Sequence, residues 1–204
     1  MLLLTLREMG VEINVFHYSA TINACAKGRQ WQLALTLLAE MAGARVDKDA
    51  ITCNSTINAC AKGHQWQVAL ELMADMVSDQ VAKNQVTYNA AITACEKGQQ
   101  WQLALVLLRE MAMAKVGKDL ITYSAAISAC EKGLQWHLAL ALLAQMAIAK
   151  VHKDLITYSA AISACEKGLQ WQLAMGLLVM MSNENIKKDV VSYAAAISAC
   201  EKGQ

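Results

Sequence analysis

Apolar residues gather in two short bursts that alternate along the whole chain. Between Gln85 and Asp119 the first burst is Val86, Tyr88, Ala91, Ile92, Ala94 and Cys95, and the second is Leu103, Ala104, Leu105, Leu107, Leu108 and Met111. Spacing near 3.6 residues predicts two helices, the first about three turns long, each with an apolar face. Thr87 stands where it can cap the first helix, and Lys97 with Gly98 closes it. Gln99 and Gln100 link it to Trp101 at the head of the second, and Lys115 to Asp119 turn into the next pair. Proline is absent and no β-type alternation appears, so the class is all-α.

The same pattern recurs every 35 residues, which Cys25, Cys60, Cys95, Cys130, Cys165 and Cys200 mark, each followed two residues later by lysine and then glycine. Trp31, Trp66, Trp101, Trp136 and Trp171 keep the same interval. A fixed period of about 20 to 50 residues is the mark of a stacked array, so the expected fold is an α-solenoid of helix-turn-helix repeats, superhelical in form. The predicted units are 15–49, 50–84, 85–119, 120–154 and 155–189, flanked by a second-helix stub at 1–14 and a first-helix stub at 190–204. Neither stub carries the polar face of a terminal cap. A longer array is therefore expected, with end-to-end self-association through the uncapped faces.

Composition narrows the function classes. The chain is 56% apolar, yet no run approaches the roughly 18 residues that span a bilayer, so no membrane partner is expected. Six of the seven cysteines share one place in the period, which predicts packing between helices in a reducing compartment. No C-x2-C signature occurs, and no metal or cofactor is expected. The methionine column at 41, 76, 111, 146 and 181 and the tryptophan column read as core. Catalytic residues are not found: His17, His64, His137 and His152 occupy four different places in the unit, and no convergent nucleophile set or Gly-rich phosphate loop exists. The chain reads as no enzyme.

One feature of the first helix resists the packing account. Asn89, Thr93 and Lys97 lie four residues apart, hence on one face, and the stripe returns as Ser124, Ser128, Lys132 and as Ser159, Ser163, Lys167. Stacking would lay these stripes into one groove with Lys27, Lys62, Lys97, Lys132, Lys167 and Lys202 along one edge. Evenly spaced ammonium groups suit a nucleic-acid backbone; they suit equally a helix C-terminus and its solubility. Glu96, Glu131, Glu166 and Glu201 beside four of the lysines partly offset the charge, and the formal net charge is only +1.

The period together with Val86-Thr87-Tyr88-Asn89, Ala104-Leu105-Val106-Leu107-Leu108, Met111 and a closing Asp119 resembles the pentatricopeptide repeat family over essentially the whole chain. Departures are the A-C-E-K-G-x-Q-W segment, Cys53 in place of the usual tyrosine, and a first connection in which Met9 precedes Tyr18 by nine residues where Met111 precedes Tyr123 by twelve.

The resemblance implies single-stranded RNA binding, one base per unit, read by the fifth residue of the unit with its last. Carried over, Ser19 with Asp49 reads guanine, Asn54 with Asn84 reads cytosine over uracil, and Asn89 with Asp119 reads uracil. Ser124 with Asp154 and Ser159 with Asp189 both read guanine, giving 5′-G-C/U-U-G-G-3′. Ala194 and Asn14 are assigned no base. By the same resemblance Phe16, Ile51, Val86, Ile121, Ile156 and Val191 wedge between bases, although the residues alone favour core for this column. The lysine column would lie near phosphates. The family also implies organellar RNA processing or stabilisation, in a mitochondrion or plastid. The rival is a protein-interaction solenoid: near-neutral charge favours it, whereas the confinement of the fifth and last places almost wholly to Ser, Asn and Asp opposes it.

Overall fold

The computed structural model of the chain describes Gly10 and residues 12–203, so the expected stub at 1–14, with Met9, lies largely outside the described residues. Among these there are eleven helices and no strand. They are α1 (Val15–Lys27), α2 (Trp31–Gly43), α3 (Ala50–Lys62), α4 (Trp66–Ser78), α5 (Gln85–Lys97), α6 (Trp101–Met113), α7 (Leu120–Lys132), α8 (Trp136–Ile148), α9 (Leu155–Lys167), α10 (Trp171–Asn183) and α11 (Val190–Lys202). The chain divides into two compact units, one ending at Gly98 and the other beginning at Gln99.

Helix starts differ from the expectation in one informative respect. The cap of α5 is Asn84, the last residue of the preceding repeat, and not Thr87. Its side-chain oxygen accepts the Thr87 N–H at 3.1 Å, while the Asn84 N–H donates to Thr87 Oγ1 at 3.1 Å. This reciprocal box recurs with Asp49 and Thr52, Asp119 and Thr122, and Asp189 and Ser192. Asp154 caps α9 in the same place, accepting the Thr157 N–H at 2.8 Å. Threonine at the third place is thus the answering half of the box, fully buried in α3, α5, α7 and α9.

Helix ends are closed by left-handed residues that are not glycine. Arg29, His64, Gln99, Leu134 and Leu169 follow the first helices with φ of 57–60°, and the next N–H reaches back to the cysteine carbonyl, as Gln135 does to Cys130 at 2.8 Å. The second helices end the same way: Val81 donates to Met76 at 2.8 Å and Ile186 to Met181 at 2.8 Å. These are Schellman closures; the residue that reaches back is apolar after the second helices and glutamine after the first. The Cys and Met columns therefore occupy matching closure positions. The Val46, Val81, Val116, Val151 and Ile186 column is the partner of the methionines.

Gly98, expected as a permissive cap, has φ −82° and needs no glycine for its backbone. It is glycine because of its neighbour: a Cβ there would lie 2.3 Å from Cδ1 of Trp66 in the preceding hairpin. Gly63 meets Trp31, Gly133 meets Trp101, Gly168 meets Trp136 and Gly203 meets Trp171 in the same way. In two columns, then, each tryptophan closes over the next repeat's glycine. Gln65, Gln135 and Gln170 hold the carbonyls of Gly63, Gly133 and Gly168 at 3.3, 3.1 and 3.0 Å. Gly133→Ala is expected to lower stability by about 1–3 kcal/mol, because the new methyl meets Trp101 Cδ1, Cγ and Cβ at 2.2, 2.6 and 3.0 Å and the ring is anchored at that Cβ. Urea unfolding checks this, with Gly117→Ala, where nothing lies within 4 Å, expected to be neutral or stabilising.

Within the first unit α1, α3 and α5 pack directly on one another, and α2 and α4 fill the angles between them; within the second, α7, α9 and α11 do the same with α8 and α10. Second helices do not touch each other through their backbones within either unit. Alanine explains the asymmetry. Ala90, Ala91 and Ala94 of α5, and Ala160, Ala161 and Ala164 of α9, are buried on the first helices and let their axes approach closely. Tyr18, Ile22, Cys25, Leu37, Leu38 and Met41 form the core at the start of the array, as expected. The architecture is an α-solenoid of stacked hairpins.

Candidate nucleic-acid interface

The second residue of each first helix stands one position into the helix, on the side away from the tyrosine that packs inward. Phe16, Ile51 and Val86 are 74, 61 and 58% exposed in the first unit, and Ile121, Ile156 and Val191 are 58, 63 and 58% exposed in the second. The core reading of this column, which the residues alone favour, is corrected. Val86 does not belong to the buried face with Tyr88, Ala91 and Ile92.

The fifth residues lie beside this column. Asn54 and Asn89 are 7 and 8% exposed, and Ser19, Ser124 and Ser159 are half-buried. In the repeat 50–84 the two candidate readers meet: Asn54 Nδ2 donates to Asn84 Oδ1 at 3.2 Å, and Thr87 Oγ1 donates to Asn54 Oδ1 at 2.7 Å. The last residue of this repeat therefore caps the following helix and orients the fifth residue of its own. Ser19 turns its hydroxyl to the Phe16 carbonyl at 3.1 Å. Ser159 Oγ is buried without a hydrogen-bond partner among the described residues, which leaves a donor and acceptor unspent. Asp49, Asp154 and Asp189 each give a carboxylate oxygen to the next helix's third residue, and Asp119 does so for Thr122 at 2.9 Å. Asn89 belongs to the first unit and Asp119 to the second.

The lysine column is not uniform. In the second unit Lys167 Nζ lies 2.6 Å from Glu131 Oε1 and Lys202 Nζ 2.8 Å from Glu166 Oε1, so each lysine pairs with the glutamate of the preceding repeat and not with its sequence neighbour. Glu166 also accepts the Ser198 hydroxyl at 2.7 Å. The Lys202 hydrogen bond is the main cause that holds Glu166 below the ordinary carboxylate value. Lys27, Lys62 and Lys97 of the first unit have no carboxylate partner among the described residues; Ala26 and Ala61 stand where the glutamates would be.

A second lysine column, Lys48, Lys83, Lys118, Lys153 and Lys188, escaped the sequence reading, although its invariance one place before the last residue was the available signal. Lys153 is nearly buried; its ammonium reaches Tyr158 OH at 3.3 Å, Glu184 at 2.5 Å, and lies 5.5 Å from the Tyr158 ring centre. Lys48 instead pairs with Asp79 at 2.8 Å beside Cys53, where the tyrosine is missing. Lys48 and Lys153 thus tie the end of one repeat to the end of the next repeat's second helix. Among the described residues no group of His, Cys, Asp and Glu is placed to hold a metal ion, and no helix is long and apolar enough to cross a membrane.

An apolar row set beside small polar side chains, with ammonium groups at the far end of the same helices, offers flat faces, directional donors and acceptors, and charge in parallel. No curated protein sequence matches the chain. Its fold is similar to that of the maize pentatricopeptide repeat protein PPR10, with TM-score 0.73 and 25% identity over 98% of this chain, which spans 29% of the maize protein's length. PPR10 in complex with an 18-nt psaJ RNA element matches at TM-score 0.78 and 24% identity, over 93% of this chain and 28% of that one. The PPR domain of Arabidopsis thaliana protein-only RNase P 1, in complex with tRNA, matches at 0.76 and 14% identity, over 89% and 96%. A family model described as pentatricopeptide repeat domain matches residues 2–62 and 106–168, one described as PPR repeat family matches 48–97, and one described as PPR repeat matches 86–116 and 156–186. With well over half of its residues matched, the chain belongs to the pentatricopeptide repeat family.

Proposed function

We propose that this chain binds single-stranded RNA sequence-specifically, one base per 35-residue repeat, at 5′-G-C/U-U-G-G-3′, in organellar RNA processing or stabilisation within a mitochondrion or plastid. It acts as a binding module and not as an enzyme. The observation that carries the proposal is the exposure of all six second residues, from 58 to 74%. Solvent-facing aliphatic and aromatic groups at fixed intervals gain by being covered, and the face of an unstacked base covers them. Next to each wedge, the fifth and last residues supply the edge recognition: amide pairs in Asn54 with Asn84, hydroxyl with carboxylate in Ser124 with Asp154 and Ser159 with Asp189. The free Ser159 hydroxyl is suited to a base edge that would satisfy it. Two of the similar structures are RNA complexes, which supports the same reading.

Ile121→Ala and Ile156→Ala test it. Both residues are exposed, so thermal stability should hold while affinity for RNA containing GCUGG falls roughly five- to tenfold at each site, about 1 kcal/mol. Unchanged RNA affinity in the double variant would remove the wedge, and with it the reason to place bases on this edge.

A further inference from the structure

Lys167 and Lys202 of the second unit stand in a different electrostatic state from Lys27, Lys62 and Lys97 of the first. Lys167 and Lys202 each face a carboxylate from the preceding repeat, at 2.6 and 2.8 Å, with the glutamate side chains 18 and 19% exposed. For Lys62 and Lys97 the residue 36 positions earlier, where Glu131 and Glu166 stand for Lys167 and Lys202, is alanine, Ala26 and Ala61. We infer that Glu131 and Glu166 are charge locks that withhold Lys167 and Lys202 from RNA phosphates, so that backbone grip is concentrated on Lys27, Lys62 and Lys97 while the helices that carry Lys167 and Lys202 make little phosphate contact.

The inference rests on the RNA reading of the first-helix edge and refines which part of it holds the backbone. The lysines are 38 and 55% exposed, so water screens both pairs and the locks contribute little to folding. Their effect on a polyanion is larger, because a phosphate approaching either lysine must displace the glutamate or sit beside its charge. Ser198 donates its hydroxyl to the same Glu166 oxygen at 2.7 Å and helps to orient the carboxylate towards Lys202. Alanine at 26 and 61 takes no part in any such pair. At this place the repeats differ by Ala26 and Ala61 against Glu131 and Glu166, and the same helices also differ at neighbouring positions such as Asn58 against Ser128 and Ser163.

The test is the salt dependence of binding to a single-stranded RNA containing GCUGG. Glu131→Gln with Glu166→Gln should raise affinity about five- to tenfold at low salt and steepen the log–log salt slope by about 1.4, two lysines at about 0.7 each. The reciprocal variant, Ala26→Glu with Ala61→Glu, should weaken binding and flatten the slope by a similar amount. Glu71→Gln with Asp75→Asn makes the same change in net charge on α4 and should leave the slope unaltered. An unchanged slope in the first two variants, or an equal change in the α4 control, overturns the lock. Wild-type protein that binds no single-stranded RNA at low salt overturns instead the RNA reading on which the lock depends. Thermal midpoints within a few degrees of wild type confirm that each variant is folded.

Discussion

RNA containing GCUGG should bind at least a hundredfold more tightly than RNA in which purine and pyrimidine are exchanged at each of those five positions. Each position that a bidentate or paired side-chain contact reads is worth roughly 1–3 kcal/mol against the wrong base, so even partial reading at five positions exceeds the 2.7 kcal/mol or so that a hundredfold ratio requires. The readers differ in what they offer. Asn presents a donor and an acceptor, Ser a hydroxyl that serves as either, and ionised Asp acceptors only. Asn89→Ser changes one reader, and at the third base it should move preference from uracil towards guanine without altering the other four. Filter or fluorescence binding with the two oligonucleotides, and with a third-base series for the variant, measures both effects. Equal affinity for the exchanged sequence would end the base code, even if the chain still bound RNA.

Alkaline pH should unfold this protein far more steeply than an ordinary helical domain. Burial pushes the thiols of Cys60, Cys95, Cys130 and Cys165 from 9.0 to about 11, and burial also raises Cys25 and Cys53. The folded values lie above the unfolded one, so the unfolded chain loses its protons first. Stability is intact below pH 9 and declines as pH rises from 9 to about 11. For each of the four thiols the loss reaches about 2–3 kcal/mol, and together they rival the 5–15 kcal/mol that holds a typical domain. Circular dichroism midpoints taken under reducing conditions across this range should show a steep alkaline limb. The quadruple Cys→Ala variant should begin less stable at neutral pH and lose much of that limb. A wild-type midpoint that is level to pH 11 would contradict the burial account.

Periodicity was enough to read the hairpins, the all-α class and the inward tyrosine, isoleucine, cysteine and methionine columns, because they depend on which residues share a helical face. What escaped the sequence depends on the neighbouring repeat. Gly98 looked like a cap chosen for its backbone, whereas its reason is Trp66, which lies 32 residues earlier in the chain. Glu131 was read beside Lys132 but pairs with Lys167. Val86 was grouped with Tyr88 by apolarity, yet the inward side of α5 is already filled by Tyr88, Ala91, Ile92 and Cys95, and Val86 is left outside. The last residue of each repeat was identified as a reader; that it also caps the next helix became visible only from the position of Asn84 and its counterparts. This double duty limits the alphabet physically. A residue that must accept the next helix's N–H is drawn from Asp, Asn and similar short side chains, which are also the ones the proposed base code uses.

The tryptophan that closes on the following glycine is one contact that the successive joints share. A repeat carries one half of the joint at its front and the complementary half at its back, independent of the letters at its fifth and last places. At this contact repeats can be exchanged, duplicated or reordered without a mismatch. Leu120–Trp136 and Leu155–Trp171 are identical letter for letter, so this half of the joint is the same cassette in two successive repeats.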